Sequence, residues 1–379
     1  MTDTRRAWMA AAAGLCALAV AMGIGRFGYT ALLPGMQAAG LSTAGAGEIA
    51  AANLLGYMIG SWFWGKTPPA WWGRAYLACL VLSVGSTLVM GLAPSYALWL
   101  AGRAAAGPAS AGTLVLGTAL MLDRLAALHR ADLGGFAYCG VGLGIAFSGV
   151  AAMLPWTAVD ALAGWLLLAA VAAALLPGAA LLAHAPATPA PPPAAVSSGP
   201  ELTRLSIAYT LEGLGYSVTA TFLVAVLARG GGITLAAWAW VLAGLAAVPA
   251  FFAWRALALR TGVRAALAAA FLVQAVGVGL PSVALSPLAA LASAAAFGGT
   301  FLAITALSLG EARRLGGIAA IGRITALYGV GQALGPLLAG WSAERSGNFD
   351  IALQGSAACI CLGALVLTTK TGRRNPCPS

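Results

Sequence analysis

Apolar runs of about 20 residues recur along the whole chain, each long enough to cross the roughly 30 Å hydrocarbon core of a bilayer. They lie near residues 8–35, 47–65, 74–93, 96–122, 133–154 and 162–184, and again near 204–228, 234–254, 264–283, 286–310, 317–341 and 349–369. In lipid every backbone polar group needs an internal partner, so runs of this kind fold as helices. An all-α membrane protein with twelve transmembrane helices is expected. Composition agrees, with 61% hydrophobic and 8% charged residues, against about 25% charged in soluble domains. The first run, from Ala7 to about Met36, is too long for a signal-peptide core of about 7–15 residues and reads as the first span.

A formal net charge of +10 would suggest nucleic acid in a soluble chain. Here the basic residues are sorted by side instead. Of the 20 Lys and Arg, Arg229 and Arg345 fall on one side, Arg26 and Arg103 fall inside spans, and all others lie on the side that carries both termini. By the positive-inside rule that side is cytoplasmic, which places the chain as a multi-pass protein of a bacterial-type cytoplasmic membrane, with the lipid bilayer and not nucleic acid as its partner. Tryptophan prefers the headgroup level, and all twelve fall near predicted span ends. The six cysteines and two histidines, His129 and His184, form no disulfide framework or metal-ligand spacing; no metal and no cofactor are expected, and the histidines read as solvated.

Between the sixth and seventh spans runs PATPAPPPAAVSSGPE, Pro186 to Glu201, an extended linker by composition. It divides the chain into an N-terminal half (1–185), a cytoplasmic linker (186–203) and a C-terminal half (204–379). Sliding the chain by 190 residues lays GIGRFGYTALL, from Gly23, over GLGYSVTATFL, from Gly213; at 189, Gly140 and Gly142 meet Gly329 and Gly331. Two six-helix halves in parallel repeat are a transporter architecture, with the substrate site between them near the midplane.

GIGRFGYTALLPGM in helix 1, NLLGYMIG in helix 2, YTLEGLGYSVTATFL in helix 7 and GRITALYGVGQALGPLLAG in helix 11 resemble the YbfB/YjiJ family of the major facilitator superfamily (MFS). The resemblance implies the MFS fold of two six-helix pseudo-repeat halves and a transporter, not an enzyme. Arg103 with Gly107 is similar to the superfamily's RxxxG motif, and Gly331, Gly335 and Pro336 to its GxxxGP motif. The loop after helix 2 departs from the usual Asp-Arg-x-Gly-Arg pattern: Gly65, Gly73 and Arg74 remain, but Lys66 to Trp72 contains no aspartate. For Arg103, Gly107, Gly73, Arg74, Gly335 and Pro336 the expected roles are gating or structural.

Arg26 lies about halfway across the first span. A charge at that depth costs roughly 2.5–3.5 kcal/mol even on the mildest scale and is kept only where it faces protein or a cavity. Three uses are open to it: gripping an anionic group, pairing with Glu212, or bonding backbone carbonyls. Gly23, Gly25 and Gly28 spell GxGxxG, but a dinucleotide fingerprint needs a preceding strand; close helix packing or a local bend explains them, and packing also explains Gly140, Gly142 and Gly144. Glu212 is the carboxylate well inside a span, on a stripe with Tyr209, Tyr216 and Thr219. The repeat places it about four residues, roughly 6 Å, inward of Arg26. Burial favours a neutral carboxyl and a neighbouring arginine an ionised one, so Glu212 is the candidate for proton coupling, with a static ion pair or bonding to Tyr209 and Tyr216 as the alternatives.

Asn53, Tyr57 and Ser61 share one face of helix 2, suited to packing or to lining a cavity. The candidate substrate-binding set is Arg26, Tyr29, Asn53, Tyr57, Tyr138, Tyr216 and Gln332; Glu48, at the outer edge of helix 2, is expected to be solvated. With no P-loop and no hydrolytic or redox constellation, an ion gradient is the expected energy source. The chain reads as a monomeric, proton-coupled secondary transporter of a small organic solute, leaning toward an organic anion; efflux of neutral or amphiphilic solutes, or a non-transporting sensor or scaffold, is the alternative. The orientation has a direct test. A topology reporter fused within 186–201 should report a cytoplasmic site and one beside Trp156 a periplasmic site, and reversal at either overturns it.

Overall fold

The computed structural model describes residues 3–154, 160–184, 199–284 and 286–369. Most of the Pro-rich linker (185–198), Trp156 and the basic tail from Lys370 lie outside the described residues. The helices are α1 (Asp3–Ala38), α2 (Thr43–Trp64), α3 (Trp72–Val89), α4 (Tyr96–Ala127), α5 (Phe136–Ala152), α6 (Ala161–Ala180), α7 (200–231), α8 (233–261), α9 (Val263–Gly279), α10 (287–315), α11 (318–346) and α12 (Asp350–Thr368). Among the described residues, 9 helical stretches are long and apolar enough to span a membrane on their own. One of these, the 62-residue stretch Pro200–Thr261, holds two helices parted at Gly232 (φ 79°); α2 and α11 complete the expected twelve. α7 begins at Pro200, so residues 200–203, assigned to the linker from composition, are already helical.

With an even number of passes, both ends of the chain lie at one end of the bundle, and the starts of α2 and the ends of α7 and α11 at the other. The halves meet along two helix pairs that the repeat relates to each other, α2 with α11 and α5 with α8. Both seams depend on close backbone approach: a Cβ added at Gly142 of α5 would come within 2.5 Å of the Gly244 carbonyl of α8, and Gly47 of α2 lies against the Pro336 carbonyl and Gly340 of α11.

The two ends of this interface differ in chemistry. At the end away from the termini it is polar. Glu344 of α11 accepts from the free backbone N–H groups of Thr43 (2.8 Å) and Ala44 (3.1 Å) at the start of α2, where a helix N-terminus favours negative charge. Glu48 accepts from Tyr96 (2.6 Å) and from Trp341 of α11 (3.1 Å); expected to be solvated, it is partly exposed and also ties the halves together. At the terminal end the contacts are aromatic, Tyr138 on Phe251 (5.6 Å between centroids) and Phe136 on Phe252 (5.8 Å).

The tryptophan expectation needs correction. Trp8, Trp62, Trp71, Trp238 and Trp341 are exposed, as headgroup anchors should be, but Trp99, Trp165 and Trp240 are buried and serve packing. Trp240 bonds Ser148 of α5 at 3.1 Å. Proximity to a span end does not separate the two uses. His129 and His184 are exposed as expected.

Within the first half α1 packs on α5 through Gly23 against Gly144 and through Gly140 against the Leu15 carbonyl, as the packing reading of these glycines anticipated. Overpacking a close helix contact costs about 1–3 kcal/mol. Gly140→Ala should therefore lower the thermal midpoint of the purified protein, whereas Gly355→Ala on α12, which meets open space, should leave it unchanged or raised. Equal effects would remove close approach as the reason for glycine at 140.

Candidate functional site

α1 does not run straight through the bundle. After Asp3–Leu18 it widens into a π-helical turn, Ala19–Ile24, and restarts as an α-helix at Gly28. Across the break Gly25 N donates to Val20 O (2.9 Å) and Phe27 N to Met22 O (3.0 Å). The carbonyls of Gly25 and Arg26 fall outside the regular ladder, and at membrane depth such groups need partners. Arg103 of α4 supplies them: Nη1 donates to the Gly25 carbonyl and Nη2 to the Arg26 carbonyl at 2.9 Å. Its guanidinium is buried and lies 5.2 Å from the centroid of the Tyr29 ring. Asn53 of α2 donates its Nδ2 to the Arg103 carbonyl at 3.0 Å, and Gly107 lets α4 close on the Asn53 carbonyl and Gly56. The arginine bonded to backbone carbonyls is thus Arg103, not Arg26.

Arg26 itself is 8% exposed. Its guanidinium carbon sits 4.8 Å from the centroid of Tyr57 on α2 and 5.4 Å from that of Phe27. Among the described residues no ion pair and no side-chain hydrogen bond involves it. Arg26, Phe27, Tyr29 and Thr30 of α1 enclose a cavity together with Ala50, Asn53 and Leu54 of α2, Arg103 of α4, and Tyr216, Ser217, Ala220 and Thr221 of α7. Its volume of about 20 Å³ has room for about one water molecule. No solute-sized space stands beside Arg26 in this conformation. Two pairs in the cavity wall keep the 190-residue repeat: Arg26 opposes its equivalent Tyr216, and Thr30 Oγ1 donates directly to the carbonyl of its equivalent Ala220.

Glu212 does not line this cavity. It is fully buried inside the second half, beside Gln274 of α9 and Tyr328 of α11, with both carboxyl oxygens lacking a hydrogen bond in good geometry. The Arg26–Glu212 pair, one of the three uses open to Arg26, is absent among the described ion pairs. The repeat places the two at similar depth, but an aromatic layer lies on the Glu212 side: Tyr328 stacks on Tyr209 at 3.9 Å, and Tyr216 stacks on Phe297 and Phe301 at 5.7 and 5.8 Å. Tyr209 and Tyr216 therefore spend their rings on packing, and no bond from either hydroxyl to Glu212 forms.

The remaining candidates are placed as follows. Arg26, Tyr29, Asn53 and Tyr216 line the cavity, with Tyr57 beneath the Arg26 guanidinium; the Tyr29 hydroxyl donates to Ala46 O at 2.8 Å. Tyr138 is in the α5–α8 seam and Gln332 is buried on α11, neither of them lining the cavity. Gly335 packs on the Leu214 carbonyl of α7, next to Pro336 in the α2–α11 seam. Gly73 packs on the Ala183 carbonyl and Arg74 lies over Trp71 at 5.5 Å, contacts that stay within the first half. Sequence reasoning missed Gln274, Tyr328, Thr30 and Glu344. Gln274 was findable by the logic that marked Glu212, as a polar residue inside an apolar run.

Losing the Arg103 fork would leave two buried carbonyls unpaired, at about 1–3 kcal/mol each. Arg103→Leu should lower the thermal midpoint markedly, and Arg103→Lys should restore only part of the loss because an ammonium is not a planar fork. An unchanged midpoint in the leucine variant rules out the clamp.

The family model described as an uncharacterised MFS-type transporter, YbfB, matches residues 18–368. No curated protein matches the chain. Solved structures match over nearly all of it. A crystal structure of a mutant of the nucleoside transporter NupG superposes with a TM-score of 0.74 at 12% identity, covering 97% of this chain and 100% of that one. A bacterial homolog of the human lysosomal transporter Spinster, inward-facing and occupied, gives 0.66 at 15% identity over 97% and 95%. At these identities the likeness is one of fold.

Proposed function

Because the chain belongs to the MFS family of the uncharacterised transporter YbfB, we propose that it moves a small organic anion across the membrane by alternating access, with protons as the driving ion. The observation that carries the anion is Arg26. A buried guanidinium with no counter-ion among the described residues sits between the halves, and the other interior arginine is bonded to backbone carbonyls. An incoming carboxylate or similar group supplies the missing charge, and Arg offers it a bidentate fork.

Solute-sized sites are about 300–1,000 Å³, far above the about 20 Å³ enclosed here, so loading requires the halves to part. The polar ties at the end away from the termini support opening as a separable event at each end. Glu212 serves the proton: its buried carboxyl stands beside Gln274 and Tyr328 and has no ion-pair partner among the described residues, so it can take up and release a proton without breaking a salt bridge. The transporter works as a monomer in the cytoplasmic membrane, with both termini in the cytoplasm. Efflux of neutral solutes would need Glu212 to neutralise Arg26, and the separation of the two argues against it.

Glu212→Gln mimics the protonated state. Reconstituted in liposomes with a solute selected by a thermal-stability screen, this variant should still exchange solute between two loaded compartments but lose uphill accumulation driven by a pH gradient. Accumulation at the wild-type rate would eliminate Glu212 as the coupling residue and favour uniport.

A further inference from the structure

The cavity around Arg26 carries more information than the sign of its solute. Asn53 is 1% exposed and lines it. Its Nδ2 is engaged by the Arg103 carbonyl, and since only an amide N–H can bond a carbonyl, the free end is the acceptor Oδ1, which has no partner. A buried acceptor beside an unpaired guanidinium asks for a ligand with a hydrogen-bond donor next to its negative charge. An ammonium is the wrong donor: among the described residues no carboxylate lines the cavity, and two guanidinium groups already stand there. A hydroxyl supplies the donor without charge. Arg103 is held to the carbonyls of Gly25 and Arg26 through Nη1 and Nη2, which keeps its charge in the wall and leaves its Nε without a partner.

Resting on the anion reading above, we propose that the site selects hydroxycarboxylates, with the carboxylate on Arg26 and the hydroxyl donating to Asn53 Oδ1. Phe27, Tyr29 and Tyr216 in the wall suit an apolar body on the carbon that bears the hydroxyl.

Two matched series test this on the purified full-length protein, with the concentration giving half-maximal thermal stabilisation as the readout. One comprises mandelate, phenylacetate, mandelamide and 2-phenylglycine; the other, with a smaller body, comprises lactate, propionate, lactamide and alanine. In at least one series the hydroxy acid should act at about tenfold lower concentration than the acid lacking the hydroxyl, as one hydrogen bond to a buried acceptor provides. It should act at about 30-fold lower concentration than the amide, as a desolvated charge pair provides. The amino acids should be no better than the amide. Arg26→Ala should remove the preference for acid over amide. Asn53→Ala should remove only the preference for the hydroxyl, a ratio taken within one variant and so independent of that variant's own stability.

If acids stabilise through Arg26 but the hydroxyl makes no difference in the wild type, or Asn53→Ala keeps the hydroxyl preference, this inference falls and the anion reading stands. If amides and acids are equivalent, both fall. No stabilisation by any member of either series also overturns the inference.

Discussion

A transmembrane helix that breaks at mid-depth must find partners for the backbone groups it releases, and Arg103 meets that demand for α1. Its fork on the Gly25 and Arg26 carbonyls allows the helix to change course within the bundle, and the change of course holds the Arg26 side chain over Tyr57 at the boundary between the halves. Asn53 is fixed by the same residue through its backbone carbonyl. The cavity is thus built outward from one satisfied interruption: remove the clamp and the guanidinium, the amide and the wall of α7 lose their common reference. A pair of arginines that look alike in sequence divide the labour, one holding backbone and one left open.

The separation of Arg26 from Glu212 has an electrostatic consequence. An ion pair at contact would cancel both charges and leave the interface with little field toward a solute. Out of contact, with stacked aromatic rings on the Glu212 side, neither cancels the other directly. The same ring borders both: Tyr328 stacks on Tyr209, stands beside Glu212 and faces Tyr216 at 6.4 Å, and Tyr216 is a cavity residue.

Much of this was legible before any coordinates. Apolar run length dictated the helices because lipid permits little else, and the 190-residue offset marked equivalent residues that meet in space, Thr30 with Ala220. Burial of Arg26 and of Glu212 followed from their depth in the spans. Their facing did not, because axial position along a helix says nothing about rotation about it, and a repeat alignment cannot supply the azimuth. For the same reason the tryptophans could be assigned a depth but not a side, so buried Trp240 looked like a headgroup anchor. Partners from distant helices escaped most completely: Glu344 reaches the start of α2 from 301 residues away, and its sequence surroundings read only as the end of a span.

The Thr30–Ala220 bond joins positions that the repeat makes equivalent. In a body with a pseudo-twofold axis, two equivalent points touch only on or beside that axis, so this contact marks where the axis of the repeat passes between the halves. The Arg26 guanidinium, one turn along α1, therefore stands near the line that both halves share, within reach of side chains from either.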